Sequence, residues 1–373
     1  MELIKEGKAL IKLPFAPKNI TSDMPVFYNP NMKINRDITV LVVRYLYSLL
    51  KRPLKVADPL AGSGIRSLRL LKETEVIERV FVNDIKSSHS IKENFEINEI
   101  DPEKYNIYSK EANLFLREEG RFDYIDIDPF GTPVPFLESS IISLSRKGIL
   151  GVTATDTAPL SGTYPETCIR RYGSKPLKSE FYHEVGIRIL IHKVFLTGAS
   201  YDCSMMPVLS YSHLHHFRVF FIKEKGARKT NKNIEENVGY IVYCHECLYR
   251  KAANDLCALR KCPKCGSKMD YAGPLWIGSI NRKDIIEFAY RTADTEVTDK
   301  RTIKLLSLLI EESDIDLPYF YTLSSLSRVL KKGKVPNIKE VIKELNGVRT
   351  HFSGEGFKTL LDFDRVIEKF VVL

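Results

Sequence analysis

The chain has 373 residues, 44% of them hydrophobic and 28% charged, with 56 Lys and Arg against 47 Asp and Glu. That length exceeds one ordinary core and sets two domains as the expectation, while no run approaches the roughly 18 uninterrupted apolar residues of a membrane-spanning helix. The net charge of +9 favours a polyanionic partner such as nucleic acid, although soluble proteins of hot or saline habitats carry similar surpluses of Lys and Arg.

Nothing at the start of the chain has the charged-then-apolar layout of a secretion signal: Lys5 and Lys8 lead into mixed sequence, so a cytoplasmic protein is expected. Ala9-Leu-Ile-Lys-Leu13 reads as a strand. Pro14, Pro17, Pro25 and Pro30 then forbid regular structure. Residues 38–50, interrupted by Arg44, read as a buried amphipathic helix. An alternation follows: strand near 54–58, helix near 64–73, strand near 79–83, helix near 88–99, and further strands near 105–109, 122–127 and 148–154. Strands alternating with helices predict an α/β fold with a doubly wound, Rossmann-like parallel sheet. Helix is expected near 179–197 and strands over 205–209 and 217–222. The basic, aperiodic stretch from Lys223 to Lys232 reads as an exposed loop or linker, which sets a domain division at 1–230 and 231–373. The second domain is expected to be a smaller α+β unit with a metal-binding segment over 240–270.

Asp58-Pro-Leu-Ala-Gly-Ser-Gly-Ile-Arg66 follows one strand and opens a helix, so Gly62 and Gly64 mark a turn where backbone can approach a cofactor closely. The turn lacks the Gly-Lys-Ser/Thr ending of an ATP-cradling loop, and Ser67 stands where a pyrophosphate-binding run places its third glycine. Asp58 before the turn suits a cofactor without phosphate, such as S-adenosylmethionine. Arg36 and Arg66 are the cations available for its carboxylate, and Asp84, at the end of the next strand, stands where an acid takes ribose hydroxyls. Glu111-Ala112-Asn113 offers an acceptor for an adenine amino group.

Asp126-Ile-Asp128-Pro129-Phe130-Gly131 closes the fourth strand of the alternation. Exocyclic amines on nucleobases are poor nucleophiles because the ring delocalises the lone pair. A methylating enzyme therefore needs acceptors on both N–H bonds and a ring to stack the everted base. Asp128 supplies a carboxylate and takes the proton, Pro129 stiffens the backbone carbonyl, and Phe130 stacks. No cysteine lies beside this motif, which disfavours the thiol-adduct route used on pyrimidine carbon.

With these residues assembled, the chain resembles the tRNA guanine-26 N2-methyltransferases of archaea and eukaryotes. The resemblance is carried by Phe27-Tyr-Asn-Pro-x-Met-x-x-Asn-Arg-Asp37, the Asp58–Arg66 turn, Asp84, the Asp126–Gly131 motif, Thr153-Ala-Thr-Asp-Thr157 and Arg349-Thr-His-Phe352. It runs over nearly the whole length. It implies S-adenosylmethionine as methyl donor, held by Arg36, Arg66, Asp84, Glu111 and Ala112. It further implies Asp128 and Phe130 in the target pocket and a C-terminal domain that grips tRNA. Glu111 departs from the Asp expected there. Phe27 is either a second stacking ring or a packing residue. The competing readings are an amino-methylase of ribosomal guanine or of adenine, and a non-catalytic zinc-bearing RNA-binding protein.

Of seven cysteines, Cys244-x2-Cys247 and Cys262-x2-Cys265 have the spacing of one closed zinc site with four thiolate ligands. Such a site is structural, because four thiolates leave no open position. Cys168, Cys203 and Cys257 fit no pattern, and His245 reads as a bystander. His213, His215 and His216 read as a strand with 213 and 215 on one face, in a packing or RNA-contacting role rather than a metal site. Arg260, Lys261, Lys264 and Lys268 around the second cysteine pair are candidates for phosphate contact. So are Arg282, Lys283, Arg301, Lys304, Lys331, Lys332 and Lys334 further on. No additional apolar helix face stands out, so a monomer is expected.

Overall fold

The computed structural model describes residues 2–13, 26–256 and 260–373, so Pro14, Pro17, Pro25 and Cys257 lie outside the described residues. The chain forms two compact units. One comprises Met1–Ala154, Phe220–Glu224 and Asp284–Leu306, the other Thr155–Val219, Lys225–Lys283 and Ser307–Leu373.

The first unit opens with an antiparallel hairpin, β1 (Glu2–Glu6) and β2 (Ala9–Leu13), followed by helix α1 (Lys33–Leu50). The expected alternation then appears: β3 (Leu54–Asp58), α2 (Ile65–Glu73), β4 (Ile77–Asn83), α3 (Ser88–Ile97), β5 (Tyr105–Tyr108), α4 (Ala112–Glu118), β6 (Phe122–Ile127), α5 (Leu137–Ser143) and β7 (Leu144–Ala154). Later come β8 (Cys203–His213) and β9 (His216–Lys225), whose residues Phe220–Glu224 belong to the first unit. The strands make a seven-stranded sheet in the order β5-β4-β3-β6-β7-β9-β8. The pairs β4–β5, β3–β4, β3–β6 and β6–β7 are parallel. Every residue of β6 is buried, as expected of a parallel strand covered on both faces. Full burial of side chains such as Val56, Val80 and Ile125 contributes about 1.5–3 kcal/mol each. Strand order reverses between β3 and β6, and the crevice outside the carboxyl ends at such a reversal is where open α/β sheets bind ligands. The glycine turn follows β3 and the Asp-Pro-Phe-Gly motif follows β6, so both motifs border that crevice.

The second unit contains the helix Tyr182–Ala199 and a three-stranded antiparallel sheet in the order β11 (Arg250–Ala253), β10 (Val238–Tyr243), β12 (Asp270–Trp276). The cysteine pairs sit at the ends of these strands. The first lies between β10 and β11, the second ahead of β12.

Two expectations are corrected here. The stretch from Lys223 to Lys232 is not a loop but the end of β9 and the start of the helix Ala227–Asn237, so a cut at residue 230 falls inside a helix. The histidine segment is not one strand: β8 ends at His213, Leu214 turns in the left-handed region (φ 50°), and β9 begins at His216. His213 and His216 thus come from two different strands, with ring centroids 5.9 Å apart at 75°.

Candidate active site

The turn after β3 is shaped by two glycines with different duties. Gly62 has φ +56°, and a Cβ there would stand 2.9 Å from the Phe27 carbonyl oxygen. The segment around Phe27 therefore lies directly on the turn, where the Ser63 N–H donates to the Phe27 carbonyl at 3.0 Å. Gly64 (φ +76°) starts α2, and a Cβ there would press on Ile91 and Phe95 of α3 at 3.2 and 3.3 Å. Its bareness serves helix packing. Gly62→Ala combines the left-handed penalty of about 1–2 kcal/mol with that backbone clash. It is expected to weaken cofactor binding by about tenfold or more, read by calorimetry against a control melt.

Asp84 directly follows β4, its carboxylate oriented by three backbone donors: Gly62 N–H to Oδ2 at 2.9 Å, and Lys86 and Ser87 N–H to Oδ1 at 2.9 Å each. The next residue, Ile85, is 63% exposed. An open apolar side chain beside an oriented acid offers a face for a flat base next to an acceptor for hydroxyls, and the sequence motifs do not include it. The available signal is an apolar residue two steps beyond the strand. Glu111 caps α4 through Oε2, which accepts from Leu114 N–H at 3.0 Å. Burial raises its pKa, but the Asn113 and Leu114 N–H groups outweigh that and hold the carboxyl below the usual range. Ala112 is buried at the first position of the helix.

Arg66, on the first turn of α2, is the hub of the site. Its Nη1 donates to Asn35 Oδ1 at 2.8 Å and Thr39 Oγ1 at 2.9 Å. Nε lies 3.2 Å from Asp126 Oδ1, and Nη2 donates to Asp128 Oδ2. The geometry follows from periodicity: Asn35 and Thr39 are one helical turn apart on α1, and Asp126 and Asp128 share one side of an extended segment. Asn35 Nδ2 also donates to Thr153 Oγ1 at 3.2 Å. Residues from three of the sequence motifs therefore meet at one guanidinium, and Thr153 of a fourth is joined to it through Asn35. Asn35, Thr39 and Asp126 have no role assigned from sequence, though the i,i+4 spacing and the Asp-x-Asp alternation are there to read.

The other cation is committed elsewhere. Arg36, 5% exposed, forks onto Glu6 with Nε–Oε1 at 2.6 Å and Nη2–Oε2 at 2.5 Å, and also donates to the Asn29 carbonyl at 2.9 Å. Arg69 joins the same cluster, 3.0 Å from Glu6 and 2.7 Å from Asp37. Burial pushes the Glu6 pKa up, yet the Arg36 and Arg69 charges prevail and bring it down to about 2. Asp58 lies beneath the turn, 4% exposed, accepting from Ser67 Oγ at 2.8 Å. Burial pushes its pKa up to about 7, against the pull of Arg66 and with the help of Asp126. Asp58 thus shapes the turn from inside.

At the rim, Asp128 keeps 18% of its side chain exposed and Phe130 is half exposed, with the intervening Pro129 buried. Phe27 meets Phe130 edge to face, with centroids 4.3 Å apart at 69°. The structure therefore brings together Asp128, Phe130 and Phe27, next to the turn that carries Gly62.

In the second unit, Cys244, Cys247, Cys262 and Cys265 have all four Sγ atoms within 4.8 Å of one another, with Cys244–Cys265 at 3.4 Å and Cys247–Cys262 at 3.5 Å. A tetrahedron with zinc–sulfur bonds of about 2.3 Å has edges near about 3.8 Å, so the quartet fits zinc. The two knuckles repeat each other. Leu248 N–H donates to Cys244 O and Gly266 N–H to Cys262 O, each at 2.9 Å, and Leu248 and Gly266 both have positive φ. His245 lies outside the quartet, 3.4 Å from Asp270. Among the described residues, no other group of three or more His, Cys, Asp and Glu gathers as metal ligands.

Comparison with known proteins fits this geometry. The family model for N2,N2-dimethylguanosine tRNA methyltransferases matches residues 7–371. The chain belongs to this family. It is 52% identical to the tRNA (guanine(26)-N(2)/guanine(27)-N(2))-dimethyltransferase of Aquifex aeolicus, over 99% of this chain and 95% of that protein. It is 38% identical to the tRNA (guanine(26)-N(2))-dimethyltransferase of Methanothermobacter thermautotrophicus, over 96% of each. The solved structure of Trm1 from Pyrococcus horikoshii with S-adenosyl-L-methionine superposes with a TM-score of 0.86 at 34% identity, covering 99% of both chains. The doubly wound sheet is therefore the family's sheet, and the Asp126–Gly131 rim belongs to a family named for methylating guanosine.

Proposed function

We infer that this protein methylates the exocyclic N2 amine of guanine 26 in tRNA, using S-adenosylmethionine, and does so twice to give N2,N2-dimethylguanosine. The observation that carries the reading is the rim after β6. There a partly exposed carboxylate and two edge-to-face phenyl rings stand together at the strand-order reversal. S-adenosylmethionine, when bound, supplies an electrophilic methyl on a sulfonium and leaves with that bond's electrons. Gly62, Gly64, Asp84, Glu111 and Ala112 fit a phosphate-free nucleoside: a bare turn, an oriented acid and a helix start. Arg36, Asp58 and Arg66 complete the proposed lining by holding acids and turn in place, and Arg66 borders the base pocket. No residue here must deprotonate the amine before transfer. Asp128 accepts an N–H bond of the guanine amine, drawing density onto nitrogen, and takes the proton from the acidic methylated ammonium afterwards. Pro129 fixes the neighbouring carbonyl, and Phe130 with Phe27 holds the everted ring. The cysteine quartet holds a structural zinc.

We assign catalysis to residues 1–230 and tRNA binding to 231–373 as a functional division, distinct from the two contact units. Among the described residues, no helix is long and apolar enough to cross a membrane. With a tRNA substrate, the proposed setting is the cytoplasm and the proposed state a monomer.

The test is incubation with labelled cofactor and separate pools of unmodified tRNA, ribosomal RNA and DNA. The expected product is dimethylguanosine at position 26 of tRNA, and label confined to ribosomal RNA would overturn the reading. A second reading adds position 27, because the Aquifex protein at 52% identity is named for both positions. Methylation at guanine 27 of a transcript that carries adenine at position 26 would establish it.

A further inference from the structure

We propose that the second zinc knuckle is a grip for the phosphate backbone of tRNA, built from Arg260, Lys261 and Lys268. The proposal rests on the tRNA reading above and specifies where part of that substrate is held.

Several basic residues that sequence marks as RNA candidates are already engaged by protein partners. Lys264 pairs with Asp364 and Lys283 with Asp314. Arg301 lies 2.8 Å from Asp299, and Lys332 donates to the Phe370 and Val371 carbonyls at 2.9 Å. Arg260, Lys261 and Lys268 are all exposed. No carboxylate pairs with any of the three among the described residues.

Their arrangement is unfavourable without an anion. Lys261 and Lys268 face each other across an antiparallel bridge that closes the knuckle, and like charges directly opposite one another on paired strands repel. Arg260 adjoins them, its carbonyl accepting from Met269 N–H at 3.2 Å. The three cations line one open groove of about 710 Å³ together with Gly266, Met269, Asp270 and Tyr271. Asp270, the acid of that groove, is taken by Lys175 at 2.5 Å and by His245 at 3.4 Å. The groove thus carries positive charge with no acid of its own left over, and the space over Gly266 is open. A polyanion with regularly spaced charges fits such a surface, and the protein's own substrate is one. The cysteine quartet fixes the knuckle that presents Lys261 and Lys268, so the metal's part here is to shape the grip.

The test uses the zinc-loaded full-length protein and an unmodified tRNA transcript. The combined variant Arg260→Gln, Lys261→Gln, Lys268→Gln is expected to raise the tRNA Kd about tenfold or more near 0.1 M salt. It should also flatten the log–log salt dependence by about two to three. Zinc content and S-adenosylmethionine affinity should stay at wild-type values. In a second arm, Lys268→Glu sets a carboxylate opposite Lys261, which is expected to raise the melting temperature while weakening tRNA binding. A triple variant with unchanged Kd and salt slope overturns the proposal. So does loss of zinc from that variant, which would mean the cations serve to neutralise the thiolate centre. Failure of the wild-type protein itself to bind or methylate tRNA would instead remove the functional reading beneath it.

Discussion

Asp128→Asn is expected to slow methyl transfer to tRNA about a thousandfold, within the usual span for losing a positioned proton acceptor. The substitution is nearly isosteric, so the rim, Pro129 and the Phe27–Phe130 pair should keep their places. The change is chemical. An amide oxygen still accepts a hydrogen bond, but it cannot take the proton that the methylated ammonium must lose, nor draw density onto nitrogen as a full carboxylate does. Arg66 also loses a charge-assisted partner while keeping Asp126, Asn35 and Thr39. Single-turnover transfer of a labelled methyl group measures the effect, alongside calorimetry of the cofactor. Cofactor affinity should change only about threefold or less, because Gly62, Asp84 and the α4 start are untouched. A rate within tenfold of wild type would show that Asp128 is not the acceptor. Arg66→Lys sharpens the result. A single ammonium cannot reproduce a fork that reaches acceptors on α1 and on the β6 rim together, so loss of rate there with Asp128 intact would confirm that the guanidinium positions it.

The regular part of the fold is legible in the sequence because parallel strands and their helices announce themselves by period. β3 and β6 occupy the expected 54–58 and 122–127, and their carboxyl ends lie at the strand-order reversal of the sheet. Partnership is not legible. Arg36 reads as a spare cation until the chain folds Glu6 onto it from thirty residues upstream, and nothing in the spacing foretells that pairing. The helix Ala227–Asn237 is hidden for a different reason. Its inward face is polar: Asn233 donates to Ser204 Oγ at 3.1 Å, and Ser204 and Thr230 hydroxyls meet at 3.0 Å. A helix held by hydroxyls and an amide shows no apolar stripe, so a period-based reading sees a basic linker. The histidine hairpin escapes likewise, since Leu214 turns the chain with a positive φ where Gly or Asn would have signalled it.

Cys262→Ser is expected to have the largest effect on stability of any single change in the second unit. Cys262 is buried, and its N–H and carbonyl close the second knuckle through Ser267 O at 2.8 Å and Gly266 N–H at 2.9 Å. Removing one of four thiolates leaves zinc with a weak hydroxyl in place of its fourth ligand. Metal affinity and folding are then lost together, because the assembled site exists only in the folded state. A cost of about 4 kcal/mol or more, typical of lost metal sites, corresponds to a melting temperature lower by roughly 8 °C or more at this size. Calorimetric melts with zinc quantified in the same samples test it. The Cys262→Ser protein should melt early and hold less than one zinc per chain, and chelation of the wild type should move it the same way. Wild-type protein that carries no zinc and melts together with Cys262→Ser would show that the quartet is merely four reduced thiols. The cofactor supplies the internal control. Gly62, Arg66, Asp84, Ala112 and Asp128 all belong to the first unit, so below the early melt S-adenosylmethionine affinity should be retained while tRNA affinity falls. A protein that lost both at once would instead melt as one cooperative body, with the zinc module holding the catalytic sheet as well as the grip on its substrate.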